Sequence, residues 1–110
     1  MLVAEVGRIV SAAIDNSSDA TFDLVAAVAC KQVIVFRIML ICGSATTLDL
    51  KDGSTSKTGP MGPMTSWVVD EMTNGKELVP LYSTTAGNAL KLAKGSAAVQ
   101  VSGTIWYLQE

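Results

Sequence analysis

Apolar residues in this chain recur at every second position, a period that builds strands and leaves no stripe for an amphipathic helix. Thr21-Phe22-Asp23-Leu24 alternates polar and apolar, as does Thr47-Leu48-Asp49-Leu50-Lys51. Between Asn88 and Leu92, Leu90 and Leu92 point one way and Lys91 the other. Near the end, Val99, Val101, Ile105 and Tyr107 share a face, and Gln100, Ser102 and Thr104 share its opposite. Strands of this kind bury one side and wet the other.

The segment Gln32–Cys42 departs from the pattern. Its even positions Ile34, Phe36, Ile38, Leu40 and Cys42 are apolar, and so are Val33, Val35, Met39 and Ile41, with Arg37 alone breaking the odd set. A strand apolar on both faces is covered twice or lies at an interface. Its β-branched residues favour a strand over a buried helix, although periodicity alone leaves the helix open.

Turn residues separate these runs. Asp15-Asn16-Ser17-Ser18-Asp19 reads as a polar loop, Ala29-Cys30-Lys31 as a break, and Gly43-Ser44, Asp52-Gly53, Asn74-Gly75, Ala86-Gly87-Asn88 and Lys94-Gly95-Ser96 as turns. About eight short strands with such spacing predict an all-β fold, a small antiparallel β-sandwich of jelly-roll type. The duplicated Gly59-Pro60-Met61-Gly62-Pro63-Met64 cannot be a central strand, because proline has no N–H to give. It is a loop or an edge. Met61, Met64, Trp67 and Met72 gather there, either as contact residues or as a cap on the open end of the core. The 110 residues are read as a single domain, with 1–18 either an N-terminal arm or the first strand.

Charge narrows the function. Only 16% of residues are charged against 49% hydrophobic, so part of a small domain's large surface must be weakly charged; such surface usually meets a partner, the other reading being a Val/Ala-rich sandwich with many Ser and Thr outside. The eight basic residues are scattered, with no stripe to track a phosphate backbone and no polybasic run for anionic lipid. Leu24–Gly43 is apolar enough to suggest a membrane span, but Lys31, Gln32 and Arg37 fall near its middle. It is read as two strands and a turn. Neither a nucleic acid nor a membrane is expected as partner.

Chemistry finds little to stand on. Histidine is absent, which removes the commonest general base and metal ligand together. Cys30 and Cys42 lack metal or redox spacing and are expected to be buried, reduced thiols. Asp70-Glu71 is the one adjacent acid pair, and neighbours on a strand point apart. Asp15, Asn16, Ser17 and Asp19 lack the closing Glu and spacing of a calcium loop and fit a turn with side-chain-to-backbone bonds. Lys57-Thr58 lacks the glycine order of a phosphate loop. The expectation is a non-enzymatic protein without cofactor or metal.

Blocks covering most of the chain from Asp19 onward carry a resemblance. Leu24-Val25-Ala26-Ala27-Val28-Ala29, Thr58-Gly59-Pro60-Met61, Thr84-Thr85-Ala86-Gly87-Asn88-Ala89-Leu90-Lys91-Leu92, and Ala98-Val99-Gln100-Val101-Ser102-Gly103 with Tyr107 together resemble small tailed-bacteriophage and prophage proteins. Among these are the capsid decoration proteins, also called cement or staple proteins, such as that of the epsilon-fifteen-like podoviruses. The resemblance implies a jelly-roll-like sandwich made in the host cytoplasm and seated on the outer surface of the virion. There it would clamp neighbouring major capsid proteins as a homo-oligomer, dimer or trimer, and it would carry no catalytic residues. The alternative is a receptor- or carbohydrate-binding module of a tail or head fibre, which would draw on Trp67, Trp106, Tyr82 and Tyr107. The contact residues expected from the doubly apolar strand are Val33, Val35, Arg37 and Met39, and those from the loop are Met61, Met64 and Trp67.

Overall fold

A computed structural model describes residues 9–69, 72–74 and 77–110, the backbone alone at 72–74 and 77–79. It is an all-β protein. The described strands are β1 (Val10–Asn16), β2 (Thr21–Val25), β3 (Val33–Asp52), β4 (Thr55–Ser56), β5 (Met61–Val69), β6 (Met72–Asn74), β7 (Glu77–Val79), β8 (Tyr82–Ser83), β9 (Leu90–Lys94) and β10 (Val101–Gln109). Eight of them form one sheet in the order β1-β10-β3-β9-β2, with β4, β5 and β8 also pairing β3, and β6 and β7 make a separate pair. Every pairing is antiparallel.

β3 organises the molecule. Its 20 residues run through Gly43-Ser44, where the sequence suggested a turn. The reason is a change of partner along one continuous strand. Val33–Cys42 pairs with β10, whereas Leu48–Asp52 pairs with β9. β5 follows β3 across this change, and its register against β3 shifts between Ile41 and Thr46 and again between Thr46 and Leu48. A strand that passes from one half of a sheet to the other lets the sheet curl around a single core. Gly43 marks the passage, its N–H donating to the Gln100 carbonyl at 2.7 Å.

The alternating runs fall as read. Leu48, Leu50, Leu90, Leu92, Val101 and Ile105 have no exposed surface. With Ile14, Leu24, Ile38 and Leu40 they make the main core. Gly103 sits where β10 crosses β3, and a side-chain carbon there would run into the Met39 carbonyl. The Asp52-Gly53 turn forms a β3–β4 hairpin with Gly53 at a φ of 59°, a conformation glycine adopts without strain. The Gly-Pro-Met duplication runs into β5, which among the described strands pairs only with β3 and so lies at an edge. Within 1–18, read as an arm or the first strand, Val10–Asn16 form the first described strand, and residues 1–8 lie outside the described residues.

The doubly apolar run is indeed a strand, but it has one inner face. A bulge breaks the register with β10: Arg37 opposes Trp106 while Val35 opposes Tyr107, leaving Phe36 without an opposite. The extra residue changes the phase of alternation. Val33 and Val35 therefore share the inner face with Ile38, Leu40 and Cys42, all in the main core. Ile34 and Phe36 turn to the other side, where with Leu108 they make a second buried cluster against Ile9.

Candidate functional site: the outer face of the β1-β10-β3-β5 half

Residues opposite each other in an antiparallel pair project to the same side of the sheet. Across the first half of β3, one row reads Ile14, Gly103, Leu40 and Trp67. It is the inner face, with Leu40 fully buried. The next row reads Ala13, Thr104, Met39 and Val68, and the one after reads Asp15, Ser102, Ile41 and Ser66. These two rows are the outer face. Ile41 is 58% exposed and Val68 54% exposed, and Met39 is half-buried between them. Small uncharged residues surround them.

Among the described residues charge enters this surface only at its ends. Arg37 lies over the Trp106 ring, its guanidinium carbon 4.6 Å from the ring centroid. At the other end the Gln100 side chain donates to an Asp15 carboxylate oxygen at 2.6 Å and to the Ser102 hydroxyl at 3.0 Å. The surface is thus a flat apolar centre in a neutral polar rim. It offers contact area and hydrogen-bonding groups. Among the described residues no group of three or more Cys, Asp or Glu is placed to hold a metal ion.

The structure divides the expected contact residues. Val33 and Val35 have no exposed surface, because the bulge turns them into the core, and they are withdrawn as contact residues. Arg37 and Met39 do reach the outer face. Met61 opposes the fully buried Leu48, Met64 opposes the buried Thr46, and Trp67 opposes Leu40. All three pack, half-buried, against the main core. Trp67 meets Tyr82 there, with ring centroids 6.3 Å apart and planes tilted by 52°. The side chains of all three face the core side of β5 rather than the outer face. The side chain of Met72 and the Asp70-Glu71 pair lie outside the described residues. Ile41 and Val68 were missed. Ile41 stood in the odd set of the apolar strand. Val68 sits in Trp67-Val68-Val69, where an unbroken apolar run gives no sign of which residue faces out.

Among the described residues two charged side chains are buried, both on the inner face of the β3–β9 pair and at opposite ends of it. Asp52 opposes Leu90, and Lys94 opposes Leu48. The Asp52 carboxylate accepts the Thr85 N–H and hydroxyl, each at 2.9 Å, and the Asn88 amide at 2.9 Å. Burial pushes its pKa up, but the bonds from Asn88 and Thr85, with the charge of Lys57, outweigh burial and hold it below the usual value. The Lys94 ammonium donates to Asn16 Oδ1 at 2.9 Å and to the carbonyls of Asn16, Ala97 and Val99 at 3.3, 3.0 and 2.9 Å. Burial lowers its pKa, offset in part by Asp19 and Cys42. These groups tie loops to strand ends. Asn16 also accepts the N–H groups of Ser18 and Asp19, so the polar loop is a turn held by side-chain-to-backbone bonds.

Both cysteines are free. Cys42 is buried as expected, and burial raises its thiol pKa. Cys30 is exposed instead, held at a φ of 64° in the turn before β3.

Comparison of the chain with protein-family models, with curated proteins and with solved structures finds no match.

Proposed function

We propose that this protein is a structural virion component that binds the outer surface of a phage capsid and staples neighbouring major capsid proteins. The observation that carries the reading is the outer face of the β1-β10-β3-β5 half, where Ile41 and Val68 stand more than half exposed in an uncharged surround. Removing the exposed half of one such side chain from water stabilises a complex by about 1–1.5 kcal/mol before the cost of association. A single copy would hold weakly. Copies repeated over a lattice, each spanning a subunit boundary, act together, so modest contacts suffice. The resemblance of the sequence blocks to decoration proteins supplies the capsid as the lattice.

A carbohydrate- or receptor-binding module needs aromatic faces open to a ligand. Trp67, Tyr82 and Tyr107 pack against the main core, and Arg37 lies over Trp106. That arrangement favours the staple over the fibre module.

The test mixes the purified protein with expanded, undecorated heads of its phage and follows co-sedimentation. The wild type should saturate at a fixed ratio to the capsid subunit. The I41E/V68E double variant, altered at two exposed positions, should keep its unfolding midpoint and lose binding. Wild-type protein that stays in the supernatant, with a band in purified tails instead, would refute the staple.

A further inference from the structure

We infer that the free edge of β1 is a self-pairing strand through which two copies of this chain join into one continuous sheet. The main sheet as described has three margins, β1, β2 and the side of β3 lined by β8, β5 and β4, and the strands β4, β6, β7 and β8 are only two or three residues long; of the longer margins two are blunted. β2 has a bulge between Asp23 and Val25, and Asp23 there is held by Lys91 at 3.1 Å. β5 carries Pro63 and two register shifts. Charges, prolines and bulges are the devices by which sheet edges avoid joining other chains. β1 has none of them from Val10 to Ile14. It pairs with β10 in unbroken register from Val10 to Asn16, and among the described strands β10 is its only partner. Val10-Ser11-Ala12-Ala13-Ile14 contains no charge and no proline.

The residues on this edge complement their own copy. An antiparallel two-fold centred on Ala12 sets Ala12 against Ala12, Ser11 against Ala13, and Val10 against Ile14. The small residues at the centre let the backbones approach. Val10, Ala12 and Ile14 share the inner side, opposite Tyr107, Ile105 and Gly103. Val10, 49% exposed in the single chain, would then lie beside the core residue Ile14 of the other copy. The strand's one charge, Asp15, falls opposite Ile9, so the pairing brings no like charges together. A neutral edge offers a charged foreign strand nothing to match, and it suits a second copy. The result is a dimer with C2 symmetry, in which one patch serves both subunits. Each copy keeps its outer face, so the joined sheets would carry two such faces.

The inference stands apart from the capsid reading, and its test needs no capsid. Sedimentation equilibrium of the full chain should show a species of twice the 11.5 kDa monomer. S11K/A13K and S11E/A13E change exposed side chains and set like charges across the two-fold. Each variant alone should dimerise at least about a hundredfold more weakly, and the two mixed should recover the dimer, because opposite charges then face each other. Independently of any variant, amides within Val10–Ile14 of the wild type should lose hydrogen-exchange protection on dilution, while those of β9 keep theirs. A wild type that is monomeric at millimolar concentration would overturn the inference. So would a dimer that persists unchanged in both charge variants, since its interface would lie elsewhere.

Discussion

The two faces of the first half of β3 are made of similar residues and meet opposite fates. Val33, Val35, Ile38 and Leu40 point inward and have no exposed surface. Ile34, Phe36, Met39 and Ile41 point outward, and only the first two are covered, by Leu108 and Ile9. Ile41 is no less apolar than Ile38, yet one is 58% exposed and the other 0%. Hydrophobicity therefore does not decide which side is core. The phase of alternation and what the chain lays over each end of the face decide it. Where the covering stops, beyond Phe36, the same apolar strand leaves Ile41 exposed.

The sharpest way to break this comparison is to change the phase. Deleting Met39 from the regular part of β3 shifts its first six residues by one and sends Val33, Val35 and Ile38 outward. That variant should show no cooperative urea transition. Deleting Arg37 instead removes the bulge and leaves every other side chain on its present face. It should fold, losing the contact with Trp106, worth about 0.5–1 kcal/mol where exposed. If both deletions unfold alike, the bulge does not set the phase.

A gentler contrast compares neighbours. Leu40→Ala opens a cavity in the main core and should cost about 2–5 kcal/mol of unfolding free energy. Ile41→Ala, one residue on, should stay within about 0.5 kcal/mol of wild type. Chemical denaturation of the two variants side by side measures the asymmetry directly. Equal losses would mean that the outer face is packed in solution and is not available to a partner.

These expectations show how far the sequence could be read. The alternations at Leu48/Leu50, Leu90/Leu92 and Val101/Ile105 report their own burial, because each strand lies over the core with its phase intact. Gln32–Cys42 did not, because an extra residue in one strand leaves no mark in the pattern. A reader counting by twos reaches Val33 and Val35 on the face of Ile41, and the bulge opposite Trp106 moves them to the face of Leu40. Gly43-Ser44 has turn composition yet continues β3, because the strand changes partner there from β10 to β9 without reversing direction. The surface itself was only half legible. Low charge announced that an exposed apolar area exists, but its position rests on which strands lie side by side, and Val68 meets Met39 only through pairing distant in sequence.

The last contrast concerns the acid that closes the inner face. Asp52 is 8% exposed, and its three neutral donors favour the carboxylate over the acid, so its folded pKa lies below the unfolded one. A group shifted in that direction adds stability that is complete above the unfolded pKa and is lost as pH falls through the folded value. Asp52→Asn keeps the size but turns an amide toward donors that need an acceptor. It should cost about 1.5–3 kcal/mol near neutral pH, the range for hydrogen bonds to a charged group. The variant cannot lose a carboxylate, so its urea midpoint should approach that of wild type as the pH drops below the usual carboxylate range. Two midpoints that stay equally far apart down to about pH 2 would show that Asp52 acts through shape alone. Convergence would show that its ionised form, seated among Thr85 and Asn88, holds the β9 approach against the end of β3.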